Sequence, residues 1–385
     1  MQIRTLGKTG IKTSILGFGV LRPPRTKSGK ADVNETIRII RKAIDNGVTF
    51  VDTAYNYLNG KSEVILGKAL KEGYREKVTL MTKCPIWSIK SAADFDDKLN
   101  EQLKRLDEEF IDIYIFHNLN EKRFKTVEKF NLLAKMKEAK ADGKIRHIGF
   151  SSHASSEEIK KFIDVGVFEF LLVQYSLIDN SKEEIIQYAV DQGLGVGVMG
   201  PVGGGRLALE PTVEMRKWLT KGRKNFADLA LKFAWSNPNV SVTLSGMGSE
   251  KMVNENIAWA SSKNYQLTDE ERKRAEKLSK KFKEMYDLNC TDCGYCEPCP
   301  NEVNIRAIFK QLITSRNPLQ MRMARSRYRK IGELKTLPGK DATACDECGE
   351  CEEKCPQEIP IRKRLKEAHA LLSKDPNNPH LEDKN

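Results

Sequence analysis

"IDIYIFH", residues 111–117, is apolar or aromatic throughout except for Asp112 and the closing His117. A strand with one wet face alternates polar and apolar side chains. A near-continuous run suits a strand buried on both faces, as in a parallel sheet covered by helices. Working outward, the same kind of run recurs as "SILGFG" (14–19), "TFVDT" (49–53), "VTLMTK" (78–83), "RHIGFS" (146–151), "FLLVQYS" (170–176), "GVGVMG" (195–200) and "VSVTLSG" (240–246). Longer amphipathic stretches separate them. In "NETIRIIRKAIDNG", Ile37, Ile40 and Ile44 share one face and Gly47 stands where a helix would be capped, while Ser62, Ser91 and Ser155 read as helix N-caps. Eight strand–helix units over about 260 residues predict an α/β fold, a (β/α)8 TIM barrel. A doubly wound sheet is the alternative, but no Gly-x-Gly-x-x-Gly opens the first helix, as a dinucleotide-binding turn of that fold requires.

The barrel pattern stops near Ala260, and "LTDEERKRAEKLSKKFKEMY" (267–286) then reads as a charged amphipathic helix. The expected division is a barrel over 1–283 and a small, mostly α-helical iron–sulfur domain over 284–385, with helices in "NIRAIFKQLITSRN" and "PIRKRLKEAHALLSK". The tail "DPNNPHLEDKN" has too few apolar residues to pack and is expected to fray. A 39% hydrophobic, 31% charged composition supports a sizeable core, and no run approaches the roughly 20 apolar residues of a membrane span. With no apolar leader in "MQIRTLGKTGIKTS", a cytoplasmic location is expected.

Of the nine cysteines, only Cys84 lies outside two short runs, an arrangement unlike a disulfide framework. Cys345, Cys348, Cys351 and Cys355, followed by Pro356, have the C-x2-C-x2-C-x3-C-P spacing of bacterial [4Fe–4S] ferredoxins. Cys290, Cys293, Cys296 and Cys299, followed by Pro300, differ only in a last gap of two. In two-cluster ferredoxins the fourth cysteine of each run ligates the other cluster. That rule groups Cys290, Cys293, Cys296 with Cys355, and Cys345, Cys348, Cys351 with Cys299. Structural zinc is the competing reading of paired C-x2-C units.

The formal net charge is +12, and ten Lys or Arg face two acids between Asn301 and Lys340. "MRMARSRYRK" (321–330) is the densest part. It would suit an acidic electron-transfer protein, a ferredoxin or a flavoprotein, although a solvated helix face or compensation of nearby thiolates explains the same charge. Nucleic acid is disfavoured because aromatics are not interleaved with the bases.

Four polar residues fall at or just beyond strand ends, where barrel chemistry resides: Asp52, Tyr57, Lys83 and His117. Held by Asp52, Lys83 would place a cation beside the Tyr57 phenol and favour its ionisation, making Tyr57 a usable general acid. His117 would orient a substrate oxygen. Tyr55 competes with Tyr57 for the acid role.

From residue 1 to about 262 the sequence resembles the aldo-keto reductases. "RTLGKTGIKTSILGFG", "FVDTAYNY", "LMTK", "IDIYIFHN", "KIRHIGFSSH", "LLVQYSLID" and "SGMGSEKMVNENI" follow that family's pattern in order. The resemblance implies a tetrad of Asp52, Tyr57, Lys83 and His117, with Tyr57 as proton donor while NADPH or NADH reduces a small-molecule carbonyl. It further implies that Ser151, Ser152 and Gln174 hold the nicotinamide carboxamide, though many relatives have Asn at the Ser152 position. Gly200 and Gly203, in "GPVGGGRL", would lie against the pyrophosphate, with Arg206 a further phosphate contact. Gly246, Ser249 and Asn256 match the adenosine side. Gly248 stands where NADPH-specific relatives often carry Arg, leaving Lys251 to reach a 2′-phosphate. One branch of the family carries a C-terminal ferredoxin-type domain, which implies two [4Fe–4S] clusters here. His117 favours carbonyl over ketosteroid double-bond reduction, and Cys84 reads as an ordinary thiol. Hydride moves two electrons and a cluster accepts one. The expected function is therefore a carbonyl reductase fused to an electron-transfer domain. The alternatives are a non-catalytic nucleotide-binding redox sensor, or a barrel fed by an external ferredoxin through the clusters.

Overall fold

The computed structural model describes residues 1–26 and 28–375; the tail expected to fray lies, from 376 on, outside the described residues. A short hairpin, β1 (Ile3–Thr5) with β2 (Lys12–Ser14), precedes eight parallel strands. These are β3 (Leu16–Gly19), β4 (Phe50–Asp52), β5 (Thr79–Cys84), β6 (Ile111–Phe116), β7 (Ile145–Ser152), β8 (Phe170–Gln174), β9 (Gly195–Met199) and β10 (Val242–Ser245). They close in chain order, β10 pairing with β3, into the expected barrel. The helices between them are α1 (Val33–Asp45), α2 (Lys61–Ala69), α3 (Ala92–Leu106), α4 (Glu121–Lys129), α5 (Leu132–Ala141), α6 (Ser156–Asp164), α7 (Glu183–Asp191) and α8 (Ala227–Ser236), with α9 (Glu250–Ser261) after β10.

Every residue of β6 is buried, as its apolar run requires. Its one acid, Asp112, is satisfied by the Leu80 N–H at 2.9 Å and by Arg75 and Arg146 at 2.8 and 3.0 Å. Phe50, Met81, Ile113, Ile115, Phe170, Leu172, Val242 and Leu244 fill the barrel, and Leu6 from the β1–β2 hairpin joins them. The hairpin sits tight against β9. A Cβ on Gly7, whose φ is +50°, would stand 2.3 Å from the Gly195 nitrogen, so glycine is required both for the turn and for the approach.

Register carries two of the expected site residues together. Asp52 pairs with Met81, a barrel-filling side chain, and Lys83 lies two residues further along β5, so it faces the same way. Ser91 and Ser155 cap α3 and α6 as expected. Ser62 does not cap α2. Gly60 takes that place, and the Ser62 hydroxyl is drawn inward to the Val20 carbonyl (2.9 Å) and the Thr53 hydroxyl (2.8 Å), because β3 and β4 end beneath it.

The chain divides into two compact units, one of Met1–Thr26, Lys30–Pro201 and Asp228–Arg272, the other of Val202–Ala227 and the stretch from Lys273 onward, with 28–29. The loop after β9 thus belongs to the second unit. That unit contains most of α10 (Asp269–Met285), then α11 (Ile305–Ser315), α12 (Met321–Arg329), α13 (Glu350–Glu353) and α14 (Ile361–Leu372). Ile308, Leu312, Tyr328, Leu365 and Leu372 form its buried apolar centre. Tyr328 ties it together, its hydroxyl meeting His369 Nδ1 at 2.9 Å and accepting the Ala342 N–H at 3.3 Å. Among the described residues no helix is long and apolar enough to cross a membrane.

Candidate active site

Asp52, Lys83 and His117 reach the same end of the barrel from three adjacent strands, and all three are buried. The Lys83 ammonium bonds the Asp52 carboxylate and donates to the Thr53 carbonyl at 2.6 Å. Burial opposes both charges. It holds Asp52 above the usual carboxylate range and Lys83 below the usual amine range, each shift being opposed by the partner's charge. Tyr57 leans over this pair from the loop after β4, with Lys83 Nζ 4.8 Å from its ring centre. The loop is tightly formed, since Leu58 and Asn59 adopt left-handed φ of 54° and 55°. The His117 ring meets the Tyr57 ring edge-on at 5.9 Å and lies 5.2 Å from Trp87. Burial, then the charges of Lys83 and Arg123, hold His117 well below its ordinary range, so near neutral pH the imidazole is uncharged.

Tyr55 is engaged elsewhere. Its hydroxyl donates to Glu101 at 3.0 Å and accepts from Lys98 at 2.8 Å, and Arg105 lies 4.2 Å over its ring. Beneath Lys83 is a support that sequence reasoning missed. Glu63 is wholly buried and accepts from Thr82 (2.8 Å), Gln102 (2.6 Å) and Arg105 (3.2 Å), while Gln102 also donates to the Lys83 carbonyl at 3.1 Å. A glutamate in the first turn of a helix looks like an ordinary dipole partner. Only its burial marks it.

The residues expected at a nicotinamide follow around the rim. Ser151 accepts the Asn118 N–H at 2.8 Å; Ser152 donates to the Leu119 carbonyl at 2.7 Å and accepts from the Ala154 N–H at 3.1 Å. Both hydroxyls thereby organise the turn after β6. Gln174 donates to Asp179 at 3.0 Å, and a Cβ on Gly200 would lie 3.7 Å from the Gln174 side chain. Past β10, Asn256 donates to Ser245 at 3.0 Å, Ser249 caps α9, and Lys251 is exposed. Arg22, absent from the sequence reading, packs beside Gly246, 3.5 Å from where a Cβ would stand. It is a loop arginine with no motif around it.

Gly203 and Arg206 lie in the second unit. Arg206 is buried, donating to the Gly203 carbonyl at 2.9 Å, the Leu288 carbonyl at 3.3 Å and Asn289 at 3.2 Å. Its guanidinium is therefore committed beside the first cysteine run, unlike the phosphate contact expected from sequence. Gly204 makes the approach possible: with φ of +71°, a Cβ there would stand 2.6 Å from the Thr291 backbone.

The cysteines surround two cavities. Cys290, Cys293, Cys296 and Cys355 line one, among Ile305, Phe309, Ile359 and Ile361. Cys299, Cys345, Cys348 and Cys351 line the other, with Cys296 at their boundary. Among the described residues no three His, Cys, Asp or Glu side chains converge as they would on a single ion. Thiols spread around an apolar cavity fit a cluster, whose corners each take one sulfur. Burial pushes Cys290 up to about 12 and Cys351 to about 11, so coordination to iron would have to displace the protons that these thiols otherwise keep. Cys84 is also pushed up to about 12 by burial, in keeping with an inert thiol.

The model of the aldo/keto reductase family matches residues 15–280. The chain belongs to this family. A 4Fe–4S dicluster domain model matches residues 289–359, so the aldo/keto reductase barrel is joined to an iron–sulfur domain. Among curated relatives, aldo-keto reductase YhdN of Bacillus subtilis (strain 168) is 33% identical over 223 residues, covering 56% of this chain and 66% of the relative. The NADH-specific methylglyoxal reductase of Escherichia coli (strain K12) is 31% identical over 222 residues, covering 52% and 68%. The chain thus spans about two thirds of the length of these relatives. The holo form of aldo-keto reductase AKR11C1 from Bacillus halodurans superposes with a TM-score of 0.60 at 28% identity, covering 72% of this chain and 96% of that one.

Proposed function

We propose that the barrel reduces a small-molecule carbonyl with NADPH or NADH, with Tyr57 as the proton donor. The observation that carries this reading is the convergence of half-buried Tyr57 on the buried Lys83–Asp52 pair, with neutral His117 against the Tyr57 ring. The nicotinamide, when bound, supplies the hydride that reaches the carbonyl carbon. Neutral His117 donates a hydrogen bond to the carbonyl oxygen and orients it. Tyr57 transfers its phenolic proton to that oxygen as negative charge develops there, and the Lys83 cation steadies the phenolate left behind. Asp52 keeps Lys83 aimed. Trp87, 45% exposed, supplies an apolar wall beside His117. Ser151, Ser152 and Gln174 would lie beside the nicotinamide, and Gly246, Ser249, Asn256 and Lys251 beside the adenosine, with Arg22 a further cation there.

In the second unit Cys290, Cys293, Cys296 and Cys355 would hold one [4Fe–4S] cluster, and Cys299, Cys345, Cys348 and Cys351 the other. Cys348 is exposed, which supports electron exchange with an outside protein at the latter. Charge complementarity is mixed: α12 exposes Arg322, Arg327 and Arg329, whereas Asp346, Glu347 and Glu350 flank Cys348. The basic helix favours an acidic ferredoxin or flavoprotein, and the rim of Cys348 favours a basic one.

Tyr57→Phe tests the barrel. NADPH oxidation across an aldehyde and quinone panel should fall at least a hundredfold, with nucleotide binding retained by fluorescence titration. An unchanged rate removes Tyr57 from the chemistry. Anaerobic EPR tests the clusters. Signals for two reduced clusters with dithionite, and none with NADPH alone, would separate cluster reduction from hydride transfer.

A further inference from the structure

The geometry points to Arg123 as the specificity-determining residue of the barrel, selecting carbonyl substrates that carry a carboxylate. The inference rests on the carbonyl-reductase reading only for the identity of the reacting group. Arg123 is the third residue of α4, and its backbone N–H is taken by the Asn120 cap at 2.9 Å. Its side chain is directed by Asn118, the residue after His117. Asn118 is buried, has a left-handed φ of 55°, and accepts from the guanidinium at 2.8 Å. The guanidinium carbon lies 5.9 Å from the Trp87 ring centre, and the Trp87 ring in turn lies 5.2 Å from His117. A cation therefore stands one indole away from the imidazole that would hold the reacting oxygen.

The field around it is positive. Arg123 acts on both His117 and His153, and Lys182 acts on His153 as well. His153 is pushed down to about 4 by burial and these charges, so it adds no charge of its own near neutral pH. The carboxylate that acts on His153, Asp179, is engaged by Gln174 at 3.0 Å and Ser181 at 2.8 Å. A planar guanidinium fork matches a carboxylate in two parallel hydrogen bonds, and the partly exposed Trp87 would cover the apolar body of a ligand reaching from His117 to Arg123. The same contacts would also exist if Arg123 merely fastened the α4 turn to Asn118. The two roles differ in what they predict for charged against neutral substrates.

The test compares 4-carboxybenzaldehyde with benzaldehyde in NADPH-dependent reduction by the intact protein, wild type and Arg123→Gln. Wild type should prefer the carboxylate-bearing aldehyde. In Arg123→Gln the ratio of the two kcat/KM values should fall about tenfold to a hundredfold, the range for a lost hydrogen bond to a charged group. Arg123→Lys should recover part of it. Equal losses on both aldehydes would mean that Arg123 only fastens the turn, and would overturn the inference. Benzoate binding by calorimetry supplies a readout that needs no turnover. If wild type reduces neither aldehyde yet binds benzoate at least tenfold more tightly than Arg123→Gln does, the carbonyl reading fails and the anion site stands. Equal benzoate affinity in the two proteins would overturn the anion site whatever the turnover shows.

Discussion

Replacing Lys83 by Met tests the buried pair at the base of the site. Lys83 is 1% exposed and Asp52 5%, and Lys83 is also the donor to the Thr53 carbonyl. Methionine fills the volume but leaves a carboxylate and a carbonyl without that donor. Removing one partner of a buried ion pair costs about 3 kcal/mol or more, which for a domain of this size lowers Tm by roughly 6–12 °C. The sign of the pH dependence follows from Asp52. Burial already holds its pKa above the unfolded value, and loss of Lys83 raises it further. The folded variant therefore binds more protons than its unfolded chain from the ordinary carboxylate range upward, and gains stability as pH falls through that window. The penalty relative to wild type should be full at neutral pH and shrink toward acid pH. Thermal unfolding followed by tryptophan fluorescence at several pH values measures it, and Asp52→Asn in the Lys83→Met background should restore at least half the loss. A variant as stable as wild type at neutral pH, or a penalty that grows on acidification, would refute the reasoning.

His117 and His153 are both held low, so their ring proton resonances should show no titration between about pH 6 and pH 8 in NMR; an imidazole midpoint in that range would contradict the desolvated, cation-flanked setting. Cys84 should resist iodoacetamide at pH 8 in the folded protein and react once urea unfolds it, as read by mass spectrometry. Gly204→Ala adds about 1–2 kcal/mol of left-handed strain as well as a Cβ at 2.6 Å from Thr291, so iron content should drop in the purified variant while Gly205→Ala, with open space around it, should lose less.

Much of the barrel was legible because strands buried on both faces lose the polar alternation that would disguise them, as β6 shows. Capping serines were legible where the chain runs free, at Ser91 and Ser155, and misread at Ser62, where the ends of β3 and β4 compete for the hydroxyl. The cysteine runs were legible by spacing as a ferredoxin pattern, with structural zinc as the competing reading. Arg206 was misplaced because a Gly-rich loop with an arginine says only that backbone can approach something. Two of its partners, Leu288 and Asn289, lie more than eighty residues away.

The sequence by itself determined the eight strands, the two cysteine runs, and the strand-end positions of Asp52, Lys83 and His117, because periodicity and spacing are local properties of a chain. Tertiary structure alone decided which side chains meet. It put Glu63 and Gln102 under Lys83, set Arg22 beside Gly246, and brought Arg123 to Trp87. Contacts of that kind depend on strand register, on loop conformation and on burial, which are set by packing between segments distant in sequence and leave no periodic mark on any one of them.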